Sequence, residues 1–324
     1  MRLLDLTAGE PAVAMLGMCK NAGKTTALNR LIRELGEAGA ASAALTSIGR
    51  DGEARDLVTG TDKPPIYMRE GMLAATAEQL LSLCDVSREI LSATGLYTSL
   101  GEVILFRARS DGFVQLAGPG IVDHMKRLRG EFARFGASPV LIDGALSRLS
   151  LLAGASDGVC VLSTGASLDR NPDRVVAETA YVAALLGLPE KAAPGAPRGK
   201  LTLFGAEPEG RPVTDLARIG RAEPEETLLS EGAFTETQAR ALLRGYTKKE
   251  GLTLLVRDAS CLMLKRETYE ALAARGMDFA VRQGTRLAAV TVNSVSAGGW
   301  RFDGDEFREK MQAAVNVPVL DVKK

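Results

Sequence analysis

The chain has 324 residues, of which 46% are hydrophobic, 25% charged and 5% aromatic, and its basic and acidic residues balance at 40 each. This is the composition of a globular protein, and the length predicts about two domains. Zero net charge and few aromatic side chains offer neither the basic surface nor the stacking platform that nucleic acid requires, so no nucleic-acid partner is expected. No segment reaches the roughly 20 apolar residues of a membrane span. The sequence therefore predicts a cytoplasmic protein without a membrane partner.

The most informative stretch is residues 17–26, which read GMCKNAGKTT. A short apolar run, residues 11–16, precedes it and predicts a strand, and apolar residues at helical spacing follow it and predict a helix. Strand, glycine-rich loop, Lys-Thr and helix form the context of a phosphate-binding loop, in which backbone N–H groups and the helix N-terminus face the anion. A plain glycine turn would explain the glycines but not Gly-Lys-Thr-Thr. The stretch predicts a site for ATP or GTP.

Two side chains of the loop carry the predicted chemistry. Lys24 supplies a positive charge to the β- and γ-phosphates, and the hydroxyl of Thr25 binds Mg²⁺. The candidate nucleotide-binding residues of the loop are Gly17, Asn21, Ala22, Gly23, Lys24, Thr25 and Thr26.

The loop is a variant, because five residues rather than the usual four separate its first glycine from Gly23 and Lys24. The additional length places Lys20 inside the loop. From its own chain, or across the interface of a homodimer, Lys20 is a candidate to stabilise the charge that develops during phosphoryl transfer. The alternative is a solvated lysine beside a strongly charged site.

Two acidic residues further along the chain are candidates for the same site. Residues 41–49 predict a second strand that leads to Asp51, which would meet Mg²⁺ or the attacking group unless it is an ordinary turn aspartate. Residues 139–145 predict a buried strand with Asp143 near its end, an acid that can hold Mg²⁺ directly or through water. Any buried strand that ends in Asp-Gly would match, so the assignment depends on its position downstream of the loop. Arg148 follows as a candidate phosphate contact.

The remaining elements alternate between strand and helix, which predicts an α/β fold with a mainly parallel sheet flanked by helices. Residues 71–93 and 121–135 predict helices, and residues 110–120 predict a strand that ends in a Gly-Pro-Gly turn. Residues 286–293 predict a buried strand that ends in Asn293. The other predicted elements include strands at 102–108 and 158–166 and helices at 172–187 and 304–314.

A Pro- and Gly-rich stretch, residues 189–199, predicts a linker. The predicted organisation has three parts. A nucleotide-binding core spans residues 1–190, an α/β insertion or subdomain spans residues 200–280, and C-terminal strands and a helix over residues 281–324 complete the core sheet.

The five-residue spacing is also that of dethiobiotin synthetase, whose relatives include the amidotransferases of cobalamin synthesis and the deviant-loop partitioning ATPases, in the SIMIBI class of P-loop NTPases. The chain resembles this class near its end as well, where residues 290–293 read VTVN and residues 317–319 read VPV. The resemblance implies that Asn293 contacts an adenine or guanine base, with a strand-end turn cap as the alternative. It breaks after the second strand, where the synthetase carries a lysine for its carbamate chemistry and residues 46–51 read TSIGRD. The resemblance therefore implies the fold but not the ligase chemistry.

The chain also resembles the nucleotide-binding subunit of the reactivase for adenosylcobalamin-dependent lysine 5,6-aminomutase, on the loop and on residues 142–146 (IDGAL), 162–166 (LSTGA) and 289–293 (AVTVN). This resemblance implies a protein partner, either a MutS-related ATPase or the cobalamin-dependent aminomutase, and a role in exchanging damaged cobalamin. The leading hypothesis is a Mg²⁺-dependent NTPase coupled to such a partner. Two alternatives stay open: an ATP-dependent ligase or kinase acting on a small carboxylate or amine, and a nucleotide-gated scaffold with little turnover.

Overall fold

Seven stretches of the chain are described by the computed structural model: residues 1–39, 42–48, 65–144, 158–205, 209–219, 226–246 and 251–323. The chain divides into two units. Unit 1 comprises Met1–Ala183 together with Arg286–Lys324, and unit 2 comprises Ala184–Thr285, which lies between the two parts of unit 1 along the chain.

The regular elements of the described residues are seven helices and eighteen strands, besides short 3₁₀ turns. In chain order they are α1 (Leu3–Leu6), β1 (Ala12–Gly17), α2 (Lys24–Glu37), β2 (Ala44–Ser47), β3 (Ile66–Met68), β4 (Leu73–Ala77), β5 (Arg88–Thr98), β6 (Gly101–Ala108), β7 (Gly112–Val114), α3 (Val122–Arg134), β8 (Val140–Asp143), β9 (Val159–Gly165), α4 (Pro172–Leu186), β10 (Leu201–Phe204), β11 (Arg211–Pro212), β12 (Thr227–Ser230), β13 (Phe234–Thr235), α5 (Glu236–Gly245), β14 (Leu252–Val256), β15 (Leu262–Met263), α6 (Arg266–Ala273), β16 (Met277–Val281), β17 (Arg286–Asn293), α7 (Gly304–Ala314) and β18 (Val319–Asp321).

A nine-stranded sheet forms the framework of unit 1, in the order β18-β17-β9-β1-β8-β2-β4-β6-β5. The pairings from β18 to β4 are parallel, whereas β6 pairs antiparallel with β4, and β5 pairs antiparallel with β6. The sheet is therefore mixed but mostly parallel, and helices flank it. The predicted α/β class is confirmed at this level.

Strand β1 lies at the point where the strand order reverses. It pairs with β8 on one side and with β9 on the other, although the chain continues first from β1 to β2, on the far side of β8. In open α/β sheets, ligands bind beyond the carboxyl ends of the strands at such a switch point. A ligand site is therefore expected among the residues that follow β1, β8 and β9.

Burial explains why β1 and α2 form where they do. The β1 residues 12–16 are all buried, as expected for a central strand covered on both faces. On α2, Leu28, Leu31 and Ile32 are fully buried in the cluster that also contains side chains of β1. Each such side chain stabilises the fold by about 1.5–3 kcal/mol. This packing fixes both ends of the loop that joins the two elements.

The helix predicted over residues 71–93 is wrong. The region contains β4, a 3₁₀ turn at Glu78–Leu83 and the first part of β5. All five residues of β4 are buried, because the strand lies inside the sheet between β2 and β6. Leu80, Leu81 and Leu83, whose spacing favours a helix, lie in the 3₁₀ turn. The strand predicted over residues 110–120 is likewise limited to the three residues of β7, which pairs with β3 rather than with the main sheet.

Unit 2 is built on a five-stranded sheet in the order β11-β10-β12-β14-β16. Strands β12, β14 and β16 are parallel, and α5 and α6 lie in the connections between them. The core on one face of this sheet includes Leu228, Leu254 and Phe279 from the strands, Leu242 from α5 and Leu272 from α6. None of the described helices in the chain is both long and apolar enough to cross a bilayer.

Candidate functional site

Two residues of the loop between β1 and α2 have left-handed backbone conformations. Asn21 has a φ of 59° and Gly23, which directly precedes α2, has a φ of 93°. Glycine adopts this conformation without the strain that a side chain brings, and asparagine tolerates it better than most residues. Met18 N donates to Ser163 O at 2.9 Å, so the loop leaves β1 beside β9. The first N–H groups of α2, which have no acceptor within the helix, therefore lie at the carboxyl edge of the sheet.

Lys24, the first residue of α2, reaches the end of β8. Its Nζ lies 2.7 Å from Asp143 Oδ1 and donates a hydrogen bond to Gly144 O at 3.0 Å. The Lys24 and Asp143 side chains are only 20% and 9% exposed, so water screens the pair weakly. Asp143 Oδ1 is buried and accepts no well-directed hydrogen bond, although Nζ is close, so the contact is mainly one of charge. The structure thus brings the predicted phosphate-binding lysine and the predicted Mg²⁺-binding aspartate together.

The other candidate residues of the loop differ in exposure. Lys20 and Asn21 are exposed, whereas Ala22 and Thr25 are buried, with Thr25 only 6% exposed in the first turn of α2. The half-buried ones are Gly17, Gly23 and Thr26. Lys20 thus has the exposure that both of its predicted roles require.

Cys19 lies in the same loop, between Met18 and Lys20. Burial raises the pKa of its thiol, so the group is protonated at neutral pH. It adds no negative charge near Lys24.

Asn293, the last residue of β17, lies against the loop. A Cβ added to Gly23 would be 3.2 Å from Asn293 Cβ and 3.4 Å from Val322 Cγ2. Asn293 Oδ1 accepts a hydrogen bond from Val295 N at 3.2 Å, which is the strand-end turn cap that the sequence offers as an alternative. The amide also carries an NH₂ group that this bond does not use, so a turn cap and a contact with a base are compatible.

Trp300 extends this region beyond the residues that the sequence singles out. Its indole Nε1 donates to Ala166 O at 2.9 Å, and Ala166 N donates to Asn293 O at 2.9 Å. Arg170 Cζ lies 4.8 Å from the centroid of the Trp300 ring, a cation–π contact. The sequence offers one indication that Trp300 belongs to this region, since it is the single tryptophan and follows Asn293 by seven residues. The contact with the end of β9, however, depends on the strand order.

Helix α2 is tied to the C-terminal strand as well. Arg30 donates to Asp321 O at 2.8 Å and pairs with Glu34 at 2.9 Å. Glu34 is only 4% exposed and also accepts a hydrogen bond from Leu4 N at 2.8 Å. This network holds the helix that carries Lys24 against β18, the neighbour of β17.

Two predicted site residues, Asp51 and Arg148, lie outside the described residues.

Within the described part of the chain, no group of three or more His, Cys, Asp or Glu side chains is arranged to hold a metal ion. Mg²⁺ in phosphate sites is held by one or two protein ligands together with phosphate oxygens and water. The hydroxyl of Thr25 and the carboxylate of Asp143 are donor types that fit this arrangement.

Gly23→Ala is expected to destabilise unit 1 more than Gly9→Ala does. Both glycines have positive φ values, 93° and 77°, so an alanine at either position carries a backbone strain of about 1–2 kcal/mol. The methyl group at position 23 would also press against Asn293, whereas nothing lies within 4 Å at position 9, so the Gly23 variant loses roughly 1 kcal/mol more. Urea unfolding measures the difference. Equal losses in the two variants would mean that Asn293 does not constrain the loop.

No protein-family model, no curated protein and no solved structure matches this chain.

Proposed function

We propose that this chain is a Mg²⁺-dependent P-loop NTPase of the SIMIBI class, which binds ATP or GTP at the loop of residues 17–26. The proposal rests on one observation above all: Lys24 contacts Asp143 and Gly144 O at the switch point of the sheet. Phosphate oxygens can replace a carboxylate and a carbonyl as acceptors for the ammonium group. A plain glycine turn gives no reason for a shielded lysine–aspartate pair at this position.

In the proposed complex, Lys24 turns from Asp143 to the β- and γ-phosphates, and the loop N–H groups bind the same oxygens. Thr25 and Asp143 would hold Mg²⁺, which would offset the negative charge of the phosphates. Lys20 stabilises the charge that develops on the transferred phosphoryl group, either from the same chain or from a second copy in a homodimer.

The nucleobase is proposed to contact Asn293. The short separation between Asn293 and the Gly23 position supports this, because a nucleotide whose phosphates lie on the loop would extend toward a neighbouring strand end. The donor and acceptor of an amide side chain suit the edge of a purine.

The proposed role of hydrolysis is to change the state of a protein partner. The resemblance of residues 17–26, 142–146, 162–166 and 289–293 to the reactivase subunit supports a MutS-related ATPase or a cobalamin-dependent aminomutase in that role. A ligase or kinase acting on a small carboxylate or amine is the second candidate. Residues 46–51 lack the lysine of the synthetase, which favours the first.

Hydrolysis assays with added partners test the proposal. The protein alone, with Mg²⁺, is expected to hydrolyse ATP or GTP slowly, because partner-supplied groups commonly contribute a factor of about 10³ or more to such rates. Adding the MutS-related ATPase or the aminomutase is expected to raise the rate. A rate that rises only with a small carboxylate or amine would identify a ligase or kinase, and tight binding without turnover in every condition would identify a scaffold.

A further inference from the structure

A second group of charged residues lies in unit 2, at the carboxyl edge of its parallel strands. The register pairs Leu229 of β12 with Leu255 of β14, and Leu255 with Ala280 of β16. Because side chains alternate along a strand, the residues two positions further on lie on the same face. These residues are Glu231, Arg257 and Arg282. Three charged side chains therefore follow an apolar row, at the edge where parallel sheets bind ligands.

Arg282 has an unused donor within the described part of the chain. Its Nη1 lies 3.2 Å from Glu231 Oε1, but its Nε is buried and donates no hydrogen bond. Glu231 Oε1 is also buried without a well-directed hydrogen bond, as is Thr285 Oγ1, three residues beyond Arg282. Buried polar atoms that have lost water are unfavourable unless another group supplies the missing bonds. Two of these atoms, Arg282 Nε and Glu231 Oε1, belong to the ion pair at this edge, which therefore has hydrogen-bonding capacity for a ligand.

Arg257, at the neighbouring position, differs from Arg282. Its Nε donates to Asp258 Oδ2 at 2.8 Å, and Asp258 is only 1% exposed. Asp258 Oδ1 in turn accepts a hydrogen bond from Ser260 N at 2.9 Å. Arg257 is therefore held by a structural carboxylate, and it provides a matched control for Arg282.

Arg282 also lines a cavity of about 420 Å³, together with residues 190–193. This segment is fixed beside β16, because Lys191 N donates to Val281 O at 2.9 Å and Glu190 Oε1 accepts from Gly284 N at 2.6 Å. The volume lies within the range of small-molecule sites, and the cavity is open to solvent. Its lining residues bring the positive charges of Lys191 and Arg282 and the negative charge of Glu190, and Glu231 adds a second negative charge through its pairing with Arg282.

We propose that this cavity binds a small molecule through a carboxylate group held by Arg282. The Nε and the adjacent Nη form one edge of the guanidinium, which donates two parallel hydrogen bonds to a planar carboxylate, while Nη1 keeps its contact with Glu231. The two positive charges are balanced by those of Glu190 and Glu231, so a singly charged carboxylate fits better than a phosphate dianion. All of these residues belong to unit 2, and carboxylate binding here does not rest on nucleotide binding at residues 17–26.

Titration with sodium acetate tests the proposal, using sodium chloride at equal ionic strength as the reference. The arginine Nε–H and backbone N–H resonances of Arg282 are expected to shift saturably in nitrogen-15 NMR of the full chain. Arg282→Lys keeps the charge but removes the two-donor edge, and it should weaken acetate binding at least about tenfold, followed through Gln283 N–H. Arg257→Lys should leave the acetate affinity unchanged.

A third variant, Glu231→Gln, is expected to raise the acetate affinity rather than lower it, and this test does not depend on the folding of Arg282→Lys. Glu231→Gln removes the negative charge that lies beside Arg282 and repels an anion, so it should bind acetate more tightly than the wild type. Non-saturable shifts, equal losses in Arg257→Lys and Arg282→Lys, or weaker binding by Glu231→Gln would each overturn the proposal. So would inorganic phosphate that binds at Arg282 as tightly as acetate, because it would contradict the carboxylate assignment.

Discussion

Replacing Lys24 with alanine is expected to weaken nucleotide binding by about 30-fold or more. The variant loses the proposed hydrogen bonds between the ammonium group and the phosphates, loss of one partner from a shielded, charged hydrogen-bonded pair commonly removes about 2–5 kcal/mol, and each 1.4 kcal/mol is about tenfold. Lys24 is the first residue of α2, and its ammonium group already lies where β1 and β8 end. Its Nζ contacts both Asp143 Oδ1 and Gly144 O, at 2.7 and 3.0 Å. Equilibrium titration with ATP and with GTP measures the loss.

The same substitution also affects stability, and the two effects must be separated. Without Lys24, Asp143 keeps a shielded negative charge with no cation at 2.7 Å, which costs roughly 3 kcal/mol or more. The double variant Lys24→Ala with Asp143→Asn removes both charges and should recover much of the free energy of unfolding but not the affinity. Lys310→Ala, an exposed lysine of α7 that pairs with Asp173, is the control and should bind nucleotide normally. Full binding by the double variant would contradict the role of Lys24.

Replacing Asp143 with asparagine is expected to abolish the gain in nucleotide affinity that Mg²⁺ provides, and to lower hydrolysis by about 100-fold or more. The amide keeps the shape of the side chain but loses the negative charge that attracts a divalent cation. In EDTA, the variant should bind nucleotide as well as the wild type or better, because Lys24 is no longer held by a carboxylate. Titrations with and without Mg²⁺ therefore distinguish a metal ligand from a residue that merely supports the fold.

Asp321→Asn provides a matched control for this second prediction. Asp321 also ends a parallel strand of the same sheet, but its Oδ1 accepts a hydrogen bond from Lys323 N at 2.8 Å. Its substitution should leave the Mg²⁺ dependence unchanged. If Asp143→Asn retained the full effect of Mg²⁺, Asp143 would not be the metal ligand.

The local elements around the site could be predicted well from the sequence. Strand β17 and helix α7 have the predicted bounds, residues 286–293 and 304–314, because each has a continuous pattern of its own period and clear ends. The region 71–93 was different. There, small and branched residues form β4 and are buried on both of its faces, and a 3₁₀ turn separates β4 from β5. The spacing of the leucines alone therefore predicts a helix where the structure has strands.

The assembly of the candidate site could be predicted only in part. A lysine after a glycine-rich loop and an aspartate at a strand end are recognisable in the chain, and the parallel pairing of β1 with β8 brings them within 2.7 Å. The short separation between the Gly23 position and Asn293, and the hydrogen bonds that link Trp300 to Asn293 through Ala166, depend on the order β17-β9-β1, which no local pattern encodes. Long-range strand order was therefore the missing information.

Equilibrium binding of ATP and GTP to the full chain tests the central claim most directly. Trp300 is a convenient reporter, because it is the single tryptophan and is hydrogen-bonded to the residue that contacts Asn293. We expect a saturable change in its fluorescence with at least one of the two nucleotides in Mg²⁺, and a loss of binding in Lys24→Ala. Equal affinity in the wild type and Lys24→Ala, or no binding of either nucleotide by the wild type in a direct assay such as equilibrium dialysis, would contradict it.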